Sequence, residues 1–136
     1  MYKIQYARSN FSTLPAGRYY VGDLFFVLQN KYVEFCKKSI LSDDGHGHGG
    51  GLIVLNNGVK VVTFCTQEGD GLYEDQLGNK YSVDDGSIGC IRVEDIKSSK
   101  AETKYGQIIE FDSEFDCCEN LEVHGVLTFG HILIAP

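Results

Sequence analysis

Apolar and polar positions along this chain change places over short runs, and turn-forming clusters of Gly, Asn, Asp and Ser separate those runs. In residues 1–7, Tyr2, Ile4 and Tyr6 alternate with Lys3 and Gln5, the period of a half-buried strand. Residues 9–13 read as a loop and Leu14-Pro15-Ala16-Gly17 as a turn. Residues 18–21 and 24–28 read as strands parted by Gly22-Asp23, where a glycine marks a bulge or bend. Asn30 then has the chemistry of a helix N-cap. Tyr32, Val33, Cys36 and Ile40 follow at helical spacing, with Lys31, Glu34, Lys37 and Lys38 on the other side. Lys37 and Lys38 suit the negative end of the helix dipole.

Beyond a glycine- and histidine-rich loop, residues 42–51, the pattern is β again. Residues 52–55 and 59–65 flank Asn56-Asn57-Gly58, where Asn-Gly predicts a hairpin with a two-residue primed turn. The stretch 69–93 alternates turns (Gly69-Asp70-Gly71, residues 76–79, Asp84-Asp85-Gly86) with strands at 72–74, 80–83 and 87–93. A helical turn at Val93-Glu94-Asp95-Ile96 opens a polar loop. Strands at 107–111, 115–118, 122–129 and 131–134 complete the chain, with Gly130 as a bulge or bend. This spacing predicts one domain, 1–136, that is mainly β. It is a β sandwich or small barrel of antiparallel meander and hairpins, with one α-helix near residues 30–40 over a face or end.

Composition narrows the picture. Hydrophobic residues at 43% and aromatics at 12% supply one core, and 16 glycines against 2 prolines suit tight turns between short strands. The formal charge of −7 and pI of about 4.9 oppose binding to nucleic-acid phosphates or to an anionic membrane. A basic partner or a divalent cation is compatible with that charge. No run reaches the roughly 18 apolar residues of a membrane-spanning helix. The first residues lack a signal peptide's apolar core, so the expected location is cytoplasmic. Five cysteines, an odd number with Cys117 and Cys118 adjacent, read as reduced thiols in apolar strands rather than a disulfide framework.

The acidic group Asp70, Glu74, Asp75, Asp84 and Asp85 is the leading candidate site. In an antiparallel meander, Asp70 and the pair Asp84-Asp85 lie in turns that gather at one end of the sheet, where carboxylates and carbonyls can meet a hard cation. The spacing is not that of an EF-hand, because Leu72 and Tyr81 fall where ligands are needed. Turn chemistry alone also places Asp beside Gly. His46-Gly-His48-Gly-Gly-Gly51 resembles an oxyanion loop, but no Gly-x-Ser-x-Gly elbow accompanies it and residue 85 is Asp. It also lacks metal-ligand partners and a Gly-Lys-Ser/Thr ending, so it reads as a mobile flap. A thiol–imidazole pairing of Cys90 with His124 or His131 is set against the commoner role of strand cysteines as core fillers. Tyr19-Tyr20, Phe25-Phe26, Tyr73 and Tyr81 are strand residues. Sequence neighbours face opposite sides of a sheet, so one of each adjacent pair needs cover from the helix, a partner or a second copy of the chain.

The segments Gly17-Arg-Tyr-Tyr-Val-Gly-Asp23, Gly69 through Gly89, and Phe129-Gly-His-Ile-Leu-Ile134 resemble an uncharacterised family of small β-rich proteins from bacteriophages, algal viruses and microbes. Members often carry a Cys-containing Asp-Pro-Cys-Tyr after the first Gly; here Leu24-Phe25-Phe26 follows Asp23. The resemblance implies β-rich architecture and a viral or phage accessory context, with no assigned activity. The resulting expectation is a non-enzymatic binding module with an acidic, aromatic-edged surface formed by Asp23, Asp70, Tyr73, Tyr81, Asp84 and Asp85, with His46 and His48 on the flap. Its partner is a protein or small molecule, and it requires no cofactor. The alternative is a hydrolase that uses the same carboxylates, with His131, to hold a divalent ion that activates water.

Overall fold

The computed structural model describes residues 11–28, 32, 34–35, 51–66, 69–84, 86–96, 106–120 and 126–135. Their strands are β1 (Phe11–Leu14), β2 (Gly17–Gly22), β3 (Gly51–Val54), β4 (Lys60–Cys65), β5 (Gly71–Asp75), β6 (Lys80–Val83), β7 (Ser87–Arg92), β8 (Gly106–Phe111), β9 (Phe115–Glu119), β10 (Leu127–Phe129) and β11 (Ile132–Ala135). They form two antiparallel sheets, a six-stranded one in the order β1-β9-β10-β11-β5-β6 and a five-stranded one in the order β3-β4-β7-β2-β8. Of the expected sandwich or small barrel, the sandwich is the architecture observed, mainly β with a short helical segment among the described residues. At one flank, Gln107 on β8 donates to the Lys80 carbonyl on β6 at 3.1 Å and bridges the two sheets.

Alternation along β2 decides the layering. Tyr19 and Val21 point into the core between the sheets, with Val62, Phe64, Ile88 and Cys90 from the same sheet and Tyr81, Cys117, Leu127, Phe129, Ile132 and Ile134 from the other. Tyr20 points the opposite way, yet it is also fully buried. It joins a second cluster in which Leu24, Val27, Leu28 and Phe35 cover Val61 and Ile91 on the outer face. The five-stranded sheet is therefore clad on both sides, and β7 is buried from Ser87 through Ile91. Burying each of these large apolar side chains stabilises the fold by about 2 kcal/mol.

The cover begins earlier than the sequence predicts. Residues 24–28, expected as a strand, hold a helical turn, α1 (Phe25–Leu28), and Tyr32, Glu34 and Phe35 are helical as well. The cause is Asp23, whose carboxylate accepts the Phe25 N–H at 2.9 Å and caps the turn. Val27 and Leu28 then face the sheet, while Phe25 stays partly exposed. The expected cap at Asn30 and the strand at residues 1–7 lie outside the described residues. Within residues 9–13, read as a loop, Phe11 starts strand β1 instead. That strand pairs Ser12 with Cys117 and Thr13 with Asp116, and a polar sequence is tolerated there because β1 is an edge among the described strands.

One row of positions crosses the whole five-stranded sheet. Gly106, Gly22, Gly89, Thr63 and Gly51 are successive cross-strand partners on the face beneath the helix. The row lets Tyr20 and Leu24 lie directly on the backbone. A Cβ on Gly89 would stand 2.4 Å from the Val62 carbonyl oxygen and 2.9 Å from Leu24 Cδ1, and one on Gly106 would stand 2.5 Å from the Val21 carbonyl oxygen. The hairpin at residues 56–58 differs from the expected two-residue turn, while the turn expected at residues 76–79 is present. The loops at residues 56–58 and 76–78 are three-residue turns, closed by Leu55 N–H to Val59 O at 2.8 Å and Asp75 N–H to Asn79 O at 3.0 Å. In each, a left-handed glycine (Gly58, φ 88°; Gly78, φ 86°) takes the bulge position that an extra residue creates.

The glycine row yields a paired prediction. Gly89→Ala drives a methyl group into backbone and should cost about 3 kcal/mol or more in urea unfolding. Thr63 Oγ1 is buried without a hydrogen-bond partner among the described residues. Thr63→Val keeps the shape and removes that hydroxyl, so it should raise stability by about 1 kcal/mol. A well-tolerated Gly89→Ala would show that the helix does not press on this row.

Candidate functional site

The β5–β6 register sets Gly71 opposite Val83, so Asp70 and Asp84, one residue beyond each, share one end of that hairpin. Both are exposed. Asp23 reaches the same end from below. It is fully buried, and its second carboxylate oxygen accepts the Asp84 N–H. Thr66 fastens the rim further, with its hydroxyl shared between the carbonyls of Gly69 and Gly86. The structure thus brings Asp23, Asp70 and Asp84 into one neighbourhood, with Asp23 serving as a helix cap. Asp85, His46 and His48 lie outside the described residues.

Tyr73 and Tyr81 are cross-strand partners and both point into the inter-sheet core rather than onto a surface. The Tyr73 hydroxyl donates to the Gly69 carbonyl at 2.9 Å. The Tyr81 hydroxyl donates to Asp75 Oδ2 at 2.7 Å. Burial, reinforced by the neighbouring carboxylate, pushes the Tyr81 phenol well up. Asp75 also accepts the N–H groups of Leu77 and Asn79 and the Asn79 side-chain amide. Burial alone would raise its carboxyl, but the hydrogen bonds from Tyr81, Asn79 and Leu77 outweigh that and hold it below the usual carboxylate range. Asp75 is the pin of its hairpin. Among the described residues, no three His, Cys, Asp or Glu side chains converge on a point where a metal ion would be held.

A concave feature among the described residues lies at another end of the sandwich. The connection from β8 to β9 passes from one sheet to the other, and a cavity of about 430 Å³ opens there, lined by residues 110–116 with Gly130 and His131. Phe111 and Phe115 form its floor, stacked with centroids 3.7 Å apart and planes 11° from parallel. Tyr19 meets both edge-on from the core, at 5.8 and 5.0 Å, and His131 tilts over Phe111 at 5.5 Å. Arg92 holds Tyr19 from behind. Its guanidinium donates to the Tyr19 hydroxyl at 3.4 Å and to the Ala16 carbonyl at 2.9 Å.

Glu110, Asp112, Glu114 and Asp116 stand exposed around this floor. Asp116 accepts the Thr13 hydroxyl at 2.8 Å, and Arg18 is the cross-strand partner of Glu110. Among the described residues, none of the four is in an ion pair. The Gly130 N–H closes the rim by donating to the Asp116 carbonyl at 2.8 Å. No larger residue fits there, because a Cβ on Gly130 would sit 2.7 Å from the Phe111 ring. A ring of exposed carboxylates around a buried, stacked aromatic pair is an arrangement suited to a cation that carries hydrogen-bond donors, such as a guanidinium.

This site lies apart from the residues the sequence points to, but it has a signal in the sequence. The tripeptide Glu-Phe-Asp occurs twice, at Glu110-Phe111-Asp112 and Glu114-Phe115-Asp116, with Ser113 between. Comparison with protein-family models, with curated protein sequences and with solved structures finds no match to this chain. Among the described residues, no helix is long and apolar enough to cross a membrane.

The Asp75 network predicts a pH-dependent effect. Its carboxyl titrates below its unfolded value of about 3.9, so its contribution is present above that pH and lost as pH falls through the folded value. Asp75→Asn should cost about 2 kcal/mol at pH 7 and progressively less as the pH falls below 4, measured by urea unfolding. A gap to the native protein that stays constant between pH 7 and pH 3 would contradict this.

Proposed function

We propose that this domain is a non-enzymatic binding module whose groove at residues 110–116 takes a positively charged, arginine- or lysine-bearing segment of a protein partner. One observation carries the reading: the doubled Glu-Phe-Asp places four carboxylates around a stacked phenylalanine pair, beneath His131. Carboxylates fix the donors of a guanidinium through charge-assisted bonds, and the buried, stacked phenylalanines give that ring of acceptors a rigid apolar base. The cavity volume of about 430 Å³ leaves room for a side chain to enter. The net charge of −7 steers such a partner toward the domain from a distance. The resemblance to phage and algal-virus proteins makes a viral accessory context part of the same proposal. Asp70 and Asp84 extend the acidic surface away from the groove and serve as its control.

The test is a titration followed by amide NMR, using a short peptide of alternating arginine and glycine. Saturable shifts at Phe111–Asp116, Gly130 and His131 are expected. Paired Asp112→Asn and Glu114→Gln substitutions should weaken binding by about tenfold or more while leaving the melting temperature nearly unchanged. Asp70→Asn with Asp84→Asn should change affinity little. Unsaturable shifts spread evenly over every acidic residue would overturn the reading. A rise in melting temperature with millimolar Mg²⁺, Mn²⁺ or Ca²⁺ would instead favour the metal-assisted alternative.

A further inference from the structure

Cys90 on β7 and Cys117 on β9 face each other across the inter-sheet core, with their sulfur atoms 4.0 Å apart and both residues fully buried. The two strands belong to different sheets, so no backbone ladder joins them. The adjacent pair Cys117-Cys118 divides by alternation. Cys117 enters the core, while Cys118 is only half-buried, its sulfur 2.9 Å from the Thr128 hydroxyl. Cys65 is half-buried at the end of β4. Among the described cysteines, one pair alone is therefore placed to bond. We propose that Cys90 and Cys117 are a disulfide site that staples the two sheets of the sandwich together.

A disulfide needs its sulfurs about 2.05 Å apart, so side-chain rotation must bring these two roughly 2 Å closer. The chemistry takes two exchanges with a low-molecular-weight disulfide such as oxidised glutathione. One cysteine thiolate attacks a glutathione sulfur, forms a mixed disulfide and expels one glutathione thiolate. The second cysteine thiolate then attacks the protein sulfur of that mixed disulfide and expels the other. Two electrons pass to the oxidant, and the two protein protons end on the two glutathione molecules released. Attack requires thiolates, and burial holds the Cys90 thiol well above its ordinary value. The step therefore belongs to the folding chain or to a state in which the sheets have parted, and repacking then shields the bond from reductant. The residues joined are 27 apart in sequence, so the link closes a long loop across the core.

The full chain is unfolded in urea and refolded with a mixture of oxidised and reduced glutathione; free thiols are then alkylated and the protein is digested. The expected product carries a Cys90–Cys117 cross-linked peptide and is about 2 Da lighter before alkylation, for the two hydrogens removed. Its melting temperature should rise on the order of 10 °C. Reductant should reverse the rise quickly in urea and slowly in buffer. Alkylation at both Cys90 and Cys117, or a dominant link through Cys118 or Cys65, would overturn the proposal. Cys90→Ala should abolish the rise. Should that variant fail to fold, peptide mapping of the native sequence decides alone.

Discussion

The structure depends on how closely the outer layer can approach the five-stranded sheet. Along the row Gly106, Gly22, Gly89, Thr63 and Gly51 there is almost no side chain, and Tyr20 and Leu24 fill the resulting trough. Contact between a ring or an isobutyl group and bare backbone brings the helical segment down onto Val61 and Ile91. It also makes Tyr20 a core residue, which frees Tyr19, its neighbour, to build the opposite core. The Tyr20 hydroxyl is satisfied by the Asp23 carbonyl at 3.0 Å, so the same residue that caps the helix receives the ring lying on the glycines.

From that arrangement the groove follows. Tyr19 enters the inter-sheet core beside Arg92 and presents its edge to Phe111 and Phe115. Each phenylalanine comes from a different sheet and is flanked by carboxylates: β alternation sends Glu110 and Asp116 outward, while Asp112 and Glu114 lie in the exposed connection between the strands. The aromatic floor is thus continuous with the core, while the charges ring the opening. Rigid anchoring of this kind lowers the entropy a partner must overcome on docking. The acidic hairpin end at Asp70 and Asp84 has no comparable floor, since Tyr73 and Tyr81 turn inward to serve Gly69 and Asp75.

Much of the β architecture was legible from periodicity. Lys80–Val83 is read with the bounds the structure gives, and the turn at Val93–Asp95 also appears as expected. What was not legible has physical causes. Phe25-Phe26-Val27-Leu28 carries strand-like residues, but a local cap from Asp23 and an uncovered sheet face turn it into a helix. Asn56-Asn57-Gly58 has the chemistry of a two-residue turn, yet the register adds one residue and Gly58 becomes its bulge. Cys90 and Cys117 look like separate core fillers until the topology sets their strands face to face. The groove was missed because an isolated strand pattern does not reveal that consecutive strands lie in different sheets. The repeated Glu-Phe-Asp was its only trace.

Double cladding of the five-stranded sheet is the claim on which layering, floor and inter-sheet thiol pair all rest. Native-state hydrogen exchange followed residue by residue tests it most directly. Amides of Ile88–Ile91 in β7, with those of Tyr20 and Val21, should exchange only through global unfolding, while those of β1 and β3, edges among the described strands, exchange far faster. Exchange at Ile88–Ile91 as rapid as at those edges would contradict it.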